Sequence, residues 1–377
     1  MKNLYFTLIL GLHLPFAEGK TLRSVPTKIS VGVVVAPPTG SGWTEIPNTK
    51  LLTLCPDDAQ YPGITGVEGC RAVVDDWNSA AFDSNLNRLL LFGGGHDGYY
   101  GNEIYAFNLD TLSISRLTDP GFPIAPKTPG NCVDAIAGGT QPNSRHTYDG
   151  LVFVRDANVM LSISGAVAHP TSCARDSIWA YNFGLAKWEN KVPDEGSPIS
   201  TYGGVVSGYD SDSKLTYIID DYSTNNLFSY DHKTSKLTKL GAVNGINSTY
   251  SVGTVARFTD KNNAIQKWFV VSNANQLVAI DLKNNYKMIT LNPGPINASY
   301  GGLAFYPKRE SLVYWRSGAP VHEFSLKNQV WTIHNFIKGP TPGRNNYVME
   351  KFSYSEKSDL FTAVTAMDNN IFVLKLP

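Results

Sequence analysis

The sequence predicts an all-β fold, a six-bladed β-propeller, on three observations. A strand pattern that opens on an aromatic residue returns six times, at a spacing of roughly fifty residues. Each copy continues through a polar turn into two further strands, and most copies end on a fourth short strand. The chain also holds 33 glycines and 22 prolines in 377 residues, which favours many turns over long helices.

The first strands of the six copies share an aromatic residue followed by small or apolar residues. They open at Trp77, Tyr148, Tyr202, Tyr250, Tyr300 and Tyr347. A lone four-stranded sheet cannot cover its own two faces, so the copies must stack on one another as the blades of a propeller. A seventh blade would have to lie in 51–70 or 119–143, and neither segment alternates apolar and polar residues as a strand does. We therefore predict six blades, with seven as the alternative.

The ring is predicted to close through the N-terminal part of the chain. The sixth copy reaches Leu376 and Pro377 without a fourth strand, whereas residues 42–47, GWTEIP, match the fourth strands KWENKVP and VWTIHNF. A strand at 43–47 beside 371–376 would complete the last blade and remove the exposed edges of an open ring. We predict one propeller domain over 42–377, preceded by a linker at 20–41.

The first 19 residues have the features of a signal peptide. An early lysine is followed by an apolar run from Leu4 to Leu14 and by small residues at Ala17 and Gly19. The run is too short to cross a bilayer, and no later segment approaches a membrane span. We expect residues 1–19 to be removed, the protein to be secreted or periplasmic without a transmembrane anchor, and the chain to be a monomer.

Four cysteines in an exported chain predict two disulfide bonds. Three pairings are allowed by count, and proximity favours Cys55 with Cys70 and Cys132 with Cys173. The first bond would close a loop with little apolar periodicity, and the second would restrain the segment 119–143, which is rich in proline and glycine. The alternative is four unpaired buried thiols.

The charge balance excludes one class of partner. Lysine and arginine total 32, and aspartate and glutamate also total 32. A chain without net charge lacks the field that draws proteins to nucleic acid or to an anionic membrane surface. A glycan or a cell-surface ligand remains as the expected partner.

One face of the predicted disc collects residue types that bind ligands. Because the strands of a blade are antiparallel, the start of the first strand and the end of the second lie at the same face. The segment 92–110, FGGGHDGYYGNEIYAFNLD, follows a second strand, and its glycines let the backbone turn sharply while His96 points inward. We predict catalytic roles for His96, His146 and Tyr148 if the protein is an enzyme. Ligand-binding roles are predicted for Arg145, Tyr100, Tyr202, Asp221, Tyr300, Arg316 and Arg344.

A structural interpretation stands beside the functional one for this face. The glycines after Phe92 are also what a sharp turn alone would need, and the six aromatic residues are also suited to plugging the axial channel. His169 lies in the loop that holds Cys173, and its role is left open.

The copies resemble kelch repeats. Gly93 and Gly94 end a second strand as a glycine pair, Tyr181 precedes Trp188 by seven residues, and Phe324 precedes Trp331 by seven. The resemblance covers nearly all of the chain after the N-terminal segment, in degenerate copies. It implies a propeller architecture and leaves the function open.

Three classes of function fit these residues. The first is an exported propeller that binds a carbohydrate or another polar ligand, since kelch-like chains bind more often than they catalyse. The second is a polysaccharide lyase, because propeller lyases resemble this face in residue types: an arginine would neutralise the uronate carboxylate, and His or Tyr would move protons in the β-elimination. The third is a copper enzyme like the kelch-type galactose oxidases, with His96, His146 and His169 as ligands. We expect no metal site, and the sequence requires no cofactor.

Overall fold

The computed structural model describes residues 28–29, 38–171, 173–200, 204–221, 223–273, 276–294, 296, 301–341 and 347–377. Three candidate ligand-binding residues, Tyr202, Tyr300 and Arg344, lie outside the described residues, as does the predicted signal peptide at 1–19.

Six of the seven sheets formed by the described strands are blades, and each blade contains four antiparallel strands that run outward from the axis. Blade 1 consists of Ala80–Asp83, Arg88–Leu91, Tyr105–Asn108 and Ser113–Arg116. Blade 2 consists of Leu151–Val154, Val159–Val167, Ala174–Asn182 and Lys187–Val192. Blade 3 consists of Val206–Asp210, Leu215–Ile219, Asn226–Asp231 and Lys236–Ala242.

The second half of the chain repeats this arrangement. Blade 4 consists of Val252–Thr259, Ile265–Asn273, Gln276–Asp281 and Lys287–Leu291. Blade 5 consists of Gly302–Tyr306, Ser311–Trp315, Val321–Ser325 and Val330–His334. Blade 6 consists of Phe352–Ser355, Leu360–Ala363, Ile371–Lys375 and Gly42–Ile46. The first strand of each blade packs beside the first strand of the next, and blade 6 packs beside blade 1, so the predicted six-bladed β-propeller is confirmed.

The predicted closure of the ring is also confirmed. Gly42–Ile46 pairs antiparallel with Ile371–Lys375, with Trp43 opposite Leu374. The last blade is therefore built from both ends of the propeller.

Short elements complete the description. A two-residue strand at Lys28–Ile29, inside the predicted linker, pairs with Arg116 and Ser115 at the outer edge of blade 1. The remaining short strands are Ala135–Ile136, Gln141–Pro142 and Arg145–His146. The helical turns are Leu51–Leu54, Gly69–Arg71, Ala72–Asp75, Ala137–Gly139, Arg155–Ala157, Ser248–Tyr250, Pro307–Arg309 and Met349–Lys351. No helix among the described residues is both long enough and apolar enough to cross a membrane.

The hydrophobic core is divided among the spaces between neighbouring blades. Leu89 and Leu91 pack with Ile371 and Val373 between blades 1 and 6, whereas Leu90 packs with Leu151 between blades 1 and 2. This alternation follows from the strand itself, since successive side chains point to opposite faces of a sheet. Each blade therefore buries both of its faces, which explains why the copies fold only as a ring.

Both predicted disulfide pairings are present. Cys55 is bonded to Cys70, and Cys132 is bonded to Cys173, so no cysteine of the chain is free. The first bond closes the irregular segment between Gly42–Ile46 and Ala80–Asp83 on itself, and the second joins the segment 119–143 to the residue before Ala174–Asn182.

Protein purified from an oxidising compartment should take up no alkylating agent before reduction and should be alkylated at all four cysteines after reduction. Intact-mass spectrometry under denaturing conditions measures both states. Alkylation of two cysteines before reduction would show that one of the two bonds does not form.

Candidate functional site

The loops of blades 1 and 2 enclose a cleft of about 440 Å³ at the face selected from the sequence. We call it the histidine cleft. Its described lining residues are Val67, Glu68, Asp76, Trp77, His96, Asp97, Gly98, His146, His169, Pro170 and Thr171. Most of them enter a first strand or leave a second strand, and these two points are adjacent because the strands are antiparallel, as in the pairing of Ala80 with Leu91.

His146 lies at the centre of the cleft and is the least satisfied polar side chain there. It is 1% exposed, and neither Nδ1 nor Nε2 has a hydrogen-bond partner among the described residues. The ring stacks on Trp77 with centroids 5.1 Å apart and meets His96 edge-on at 4.4 Å. The Oδ2 atom of Asp76 lies 3.8 Å from Nε2, beyond hydrogen-bond distance. Both ring nitrogens are buried and unsatisfied by the described residues, so a ligand group reaches them only if the cleft lining shifts slightly.

Burial keeps the two central histidines neutral. It lowers the pKa of His96, and it lowers the pKa of His146 well below the usual value, with a further contribution from the charge of His96. A neutral imidazole carries one N–H donor and one acceptor nitrogen. Near pH 7 the pair can both donate hydrogen bonds and accept them.

A glycine beside His96 explains how the two rings come so close. Gly95 has φ of +85°, and a Cβ atom at that position would lie 2.2 Å from Cδ2 of His146 and 2.7 Å from the carbonyl oxygen of Ala166. Only glycine fits this backbone conformation and this contact together. The glycine run in segment 92–110 therefore serves the packing of His146 as well as the turn.

Two loops form the opposite walls of the histidine cleft. On one side, the N–H groups of Val67 and Glu68 donate to the carbonyl oxygens of Asp97 and Gly98, at 2.7 Å and 3.1 Å. On the other side, the N–H of His169 donates to the carbonyl oxygen of His96 at 2.9 Å. The Nδ1 atom of His169 lies 2.8 Å from the carbonyl oxygen of Thr171, while its Nε2 atom has no partner among the described residues. The cleft thus contains a third histidine, which also has one buried ring nitrogen unsatisfied by these residues.

Arg145 does not line the cleft. It is 0% exposed, and its guanidinium donates to Oδ1 of Asp134 at 3.0 Å and to Oγ of Ser177 at 3.2 Å. Burial opposes ionisation of Asp134, but the charge of Arg145 and hydrogen bonds from Ser177 and Trp179 outweigh it and lower the pKa of Asp134. The cation that was predicted from the sequence to bind a ligand is paired with Asp134, in the segment 119–143 that precedes the first strand of blade 2.

The two described candidate tyrosines also lie behind the cleft lining. The ring of Tyr148 contacts the ring of His146 at a centroid distance of 6.2 Å. It also packs closely on Gly204, just before the first strand of blade 3. Tyr100 is fully buried, and its hydroxyl donates to Oδ1 of Asp97 at 2.8 Å. Both tyrosines hold lining residues in place.

The remaining described candidates lie on other blades. Asp221 accepts the N–H of Ser223 at 2.8 Å in a turn of blade 3, and Arg316 follows the second strand of blade 5. Neither residue lines the histidine cleft. The structure therefore brings together His96 and His146, with Tyr148 in contact, and separates them from Asp221 and Arg316.

Sequence reasoning did not select several residues that the structure places in the cleft. Val67 and Glu68 lie in the segment 51–70, whose sequence shows no strand alternation and predicts a loop. The nearby Cys70 is the one sequence feature that indicates a fixed position for this segment. Asp76 and Trp77 come just before the first strand of the first copy, at the face predicted to hold the site. That position is the sequence feature from which they could have been selected as site residues.

The described residues do not fit a copper centre. No three His, Cys, Asp or Glu side chains in the described ranges are arranged to hold a metal ion.

No family model matches the chain, so membership of the kelch-type superfamily stays a prediction, and no curated protein matches the chain. Among solved structures, a protein of unknown function from Bacteroides thetaiotaomicron VPI-5482 has a TM-score of 0.45 at 10% identity, over 82% of this chain and 75% of that chain. An auxiliary nutrient binding protein from the same organism has a TM-score of 0.46 at 10% identity, over 80% and 69%. The structure of YjhT has a TM-score of 0.46 at 12% identity, over 82% and 99%. The assignment as a six-bladed β-propeller rests on the strand pairing.

Proposed function

We propose that the protein is an exported propeller that binds a carbohydrate in the histidine cleft. The observation that carries the proposal is His146, whose two buried ring nitrogens have no hydrogen-bond partner in the part of the chain that the structure describes and lie beside the indole of Trp77. A buried polar group without a partner is costly, and a ligand that hydrogen-bonds to it recovers that cost. Sugar hydroxyls both donate and accept, which matches a neutral imidazole, while an indole offers an apolar surface to the C–H face of a sugar ring.

The charges of the cleft favour a neutral, multiply hydroxylated sugar. The described lining includes the carboxylates of Glu68, Asp76 and Asp97, and no lysine or arginine occurs among the described lining residues. Carboxylates accept strong hydrogen bonds from hydroxyl groups, whereas they repel the carboxylate of a uronate. Two disulfide bonds support export, since such bonds persist in oxidising compartments.

Replacing His146 by alanine should weaken glycan binding about tenfold, because one or two hydrogen bonds of about 1 kcal/mol each are lost. Calorimetric titration with soluble xylan, mixed-linkage β-glucan, galactomannan and polygalacturonate identifies the bound class and then measures the variant. His322→Ala is the matched control, since His322 lies on the third strand of blade 5 and should leave affinity unchanged. Equal affinities of wild type and His146→Ala for every bound glycan would contradict the proposal.

A lyase that cleaves uronate-containing glycans is the second candidate, and one observation favours it. The neutral rings of His96 and His146 lie 4.4 Å apart, so one of them can take the proton at C5 of a uronate while its neighbour stays uncharged. The reaction also needs a cation at the uronate carboxylate, and Arg145 is already paired with Asp134.

Incubation with alginate and polygalacturonate separates the two functions. A lyase would produce the absorbance of an unsaturated uronyl product, and His96→Ala and His146→Ala would abolish that product while affinity stays nearly intact. Absence of new absorbance with each uronate polysaccharide would contradict the lyase and leave the binding function in place.

A further inference from the structure

Two acidic side chains outside the histidine cleft meet near the axis of the ring. Asp149, just before the first strand of blade 2, is fully buried, and Glu350, just before the first strand of blade 6, keeps part of its surface accessible. The two side chains lie within hydrogen-bonding reach of each other, and Oδ1 of the buried Asp149 receives no donor from the described residues. An ionised carboxylate only accepts hydrogen bonds, so two carboxyl groups can bond only when one of them carries a proton.

This pair connects most of the ring. The Oδ2 atom of Asp149 accepts the N–H of Ser207 in blade 3 at 3.1 Å and the N–H of Gly253 in blade 4 at 2.8 Å. Glu350 accepts the hydroxyl of Ser79 at the entrance of blade 1. The hydrogen bonds of one carboxyl pair therefore reach blades 1, 2, 3, 4 and 6.

The charged groups around the pair of carboxyl groups can stabilise only one negative charge on that pair. The nearest cation is Lys351, whose Nζ donates to the carbonyl oxygens of Val74 and Asn78 at 2.8 Å and 2.7 Å. Burial lowers the pKa of Lys351 to about 8, and its charge also faces Asp75 and Asp76. One ammonium group among four carboxyl groups cannot stabilise full ionisation of Asp149 and Glu350.

We propose that Asp149 and Glu350 share one proton in the folded protein. This proton stabilises the contacts between the inner strands of the ring, and the stabilisation depends on pH. Burial raises the pKa of Glu350 to about 7, and burial together with the charge of Glu350 raises the pKa of Asp149 well above its usual value. In the unfolded chain Glu350 loses its proton near pH 4.5, whereas in the folded protein it keeps the proton up to about pH 7. The stability that the proton contributes is therefore fully present below pH 4.5 and is lost as the pH rises through about 7.

The test is the melting temperature of wild type and of Glu350→Gln, measured from pH 4.5 to above pH 7. Glutamine keeps a donor for Asp149 and an acceptor for Ser79 but cannot ionise. Across this range we expect the melting temperature of wild type to fall relative to that of the variant by about 3 °C or more. Glu195→Gln, which changes an exposed carboxylate in the loop after blade 2, should keep the wild-type profile.

Asp149→Asn provides a second measurement if Glu350→Gln does not fold. Its amide oxygen can accept the N–H groups of Ser207 and Gly253 while its amide nitrogen donates to Glu350, so its profile should also lose the fall near pH 7. Profiles of the foldable variants that run parallel to wild type would overturn the proposal.

Discussion

Deleting residues 42–47 should abolish cooperative folding of the whole ring. The deletion removes the outer strand of blade 6, takes Ile46 from the core between blades 1 and 6, and takes Trp43 from its contacts with Trp315 and Phe352. Losing one buried isoleucine and one partly buried tryptophan costs about 5 kcal/mol or more, which is comparable to the whole stability of a typical domain. Thermal unfolding followed by near-ultraviolet circular dichroism measures the loss.

Two point variants separate the loss of the strand from the shortening of the chain. Ile46→Asp places a charge at a fully buried position of the strand, whereas Glu45→Ala changes its exposed neighbour. The first should lower the melting temperature strongly and the second should leave it nearly unchanged. An unchanged melting temperature after the deletion would show that the ring does not depend on this closure.

Gly95→Ala should destabilise the protein and displace His146 from the histidine cleft. The new Cβ atom would lie 2.2 Å from Cδ2 and 2.3 Å from the backbone nitrogen of His146, and the backbone nitrogen cannot move without breaking the short strand Arg145–His146. The φ of +85° alone costs an alanine about 1 kcal/mol or more, and the clash adds to that cost. We expect a lower melting temperature and a shifted imidazole NMR signal for His146.

Gly139→Ala is the matched control for this variant. Gly139 has φ of +86° and no atom within 4 Å of an added Cβ, so its alanine variant carries the backbone cost without the clash. An equal loss of melting temperature in both variants, with the His146 signal unmoved, would show that the contact at Gly95 does not position the histidine.

The sequence by itself determined the architecture of this protein. Adjacent residues alternate between the two faces of a strand, as Leu89 and Leu91 do with Leu90, so this pattern can be recognised from the sequence alone. The turns between strands also depend only on residues that are neighbours in the sequence. The match of residues 42–47 to the other fourth strands was enough to predict the closure, and short sequence separation was enough to predict the disulfide bonds.

Only the tertiary structure decided which residues of the predicted face meet. Arg145 and His146 are adjacent in one short strand, so their side chains point to opposite sides: His146 enters the cleft, and Arg145 turns to Asp134. Which side faces the cleft depends on the register of this strand against Ala166 and Val167, and residue type does not reveal that register. The contact of Asp149 with Glu350 is likewise invisible in the sequence, because closure of the ring alone brings blades 2 and 6 together at the axis.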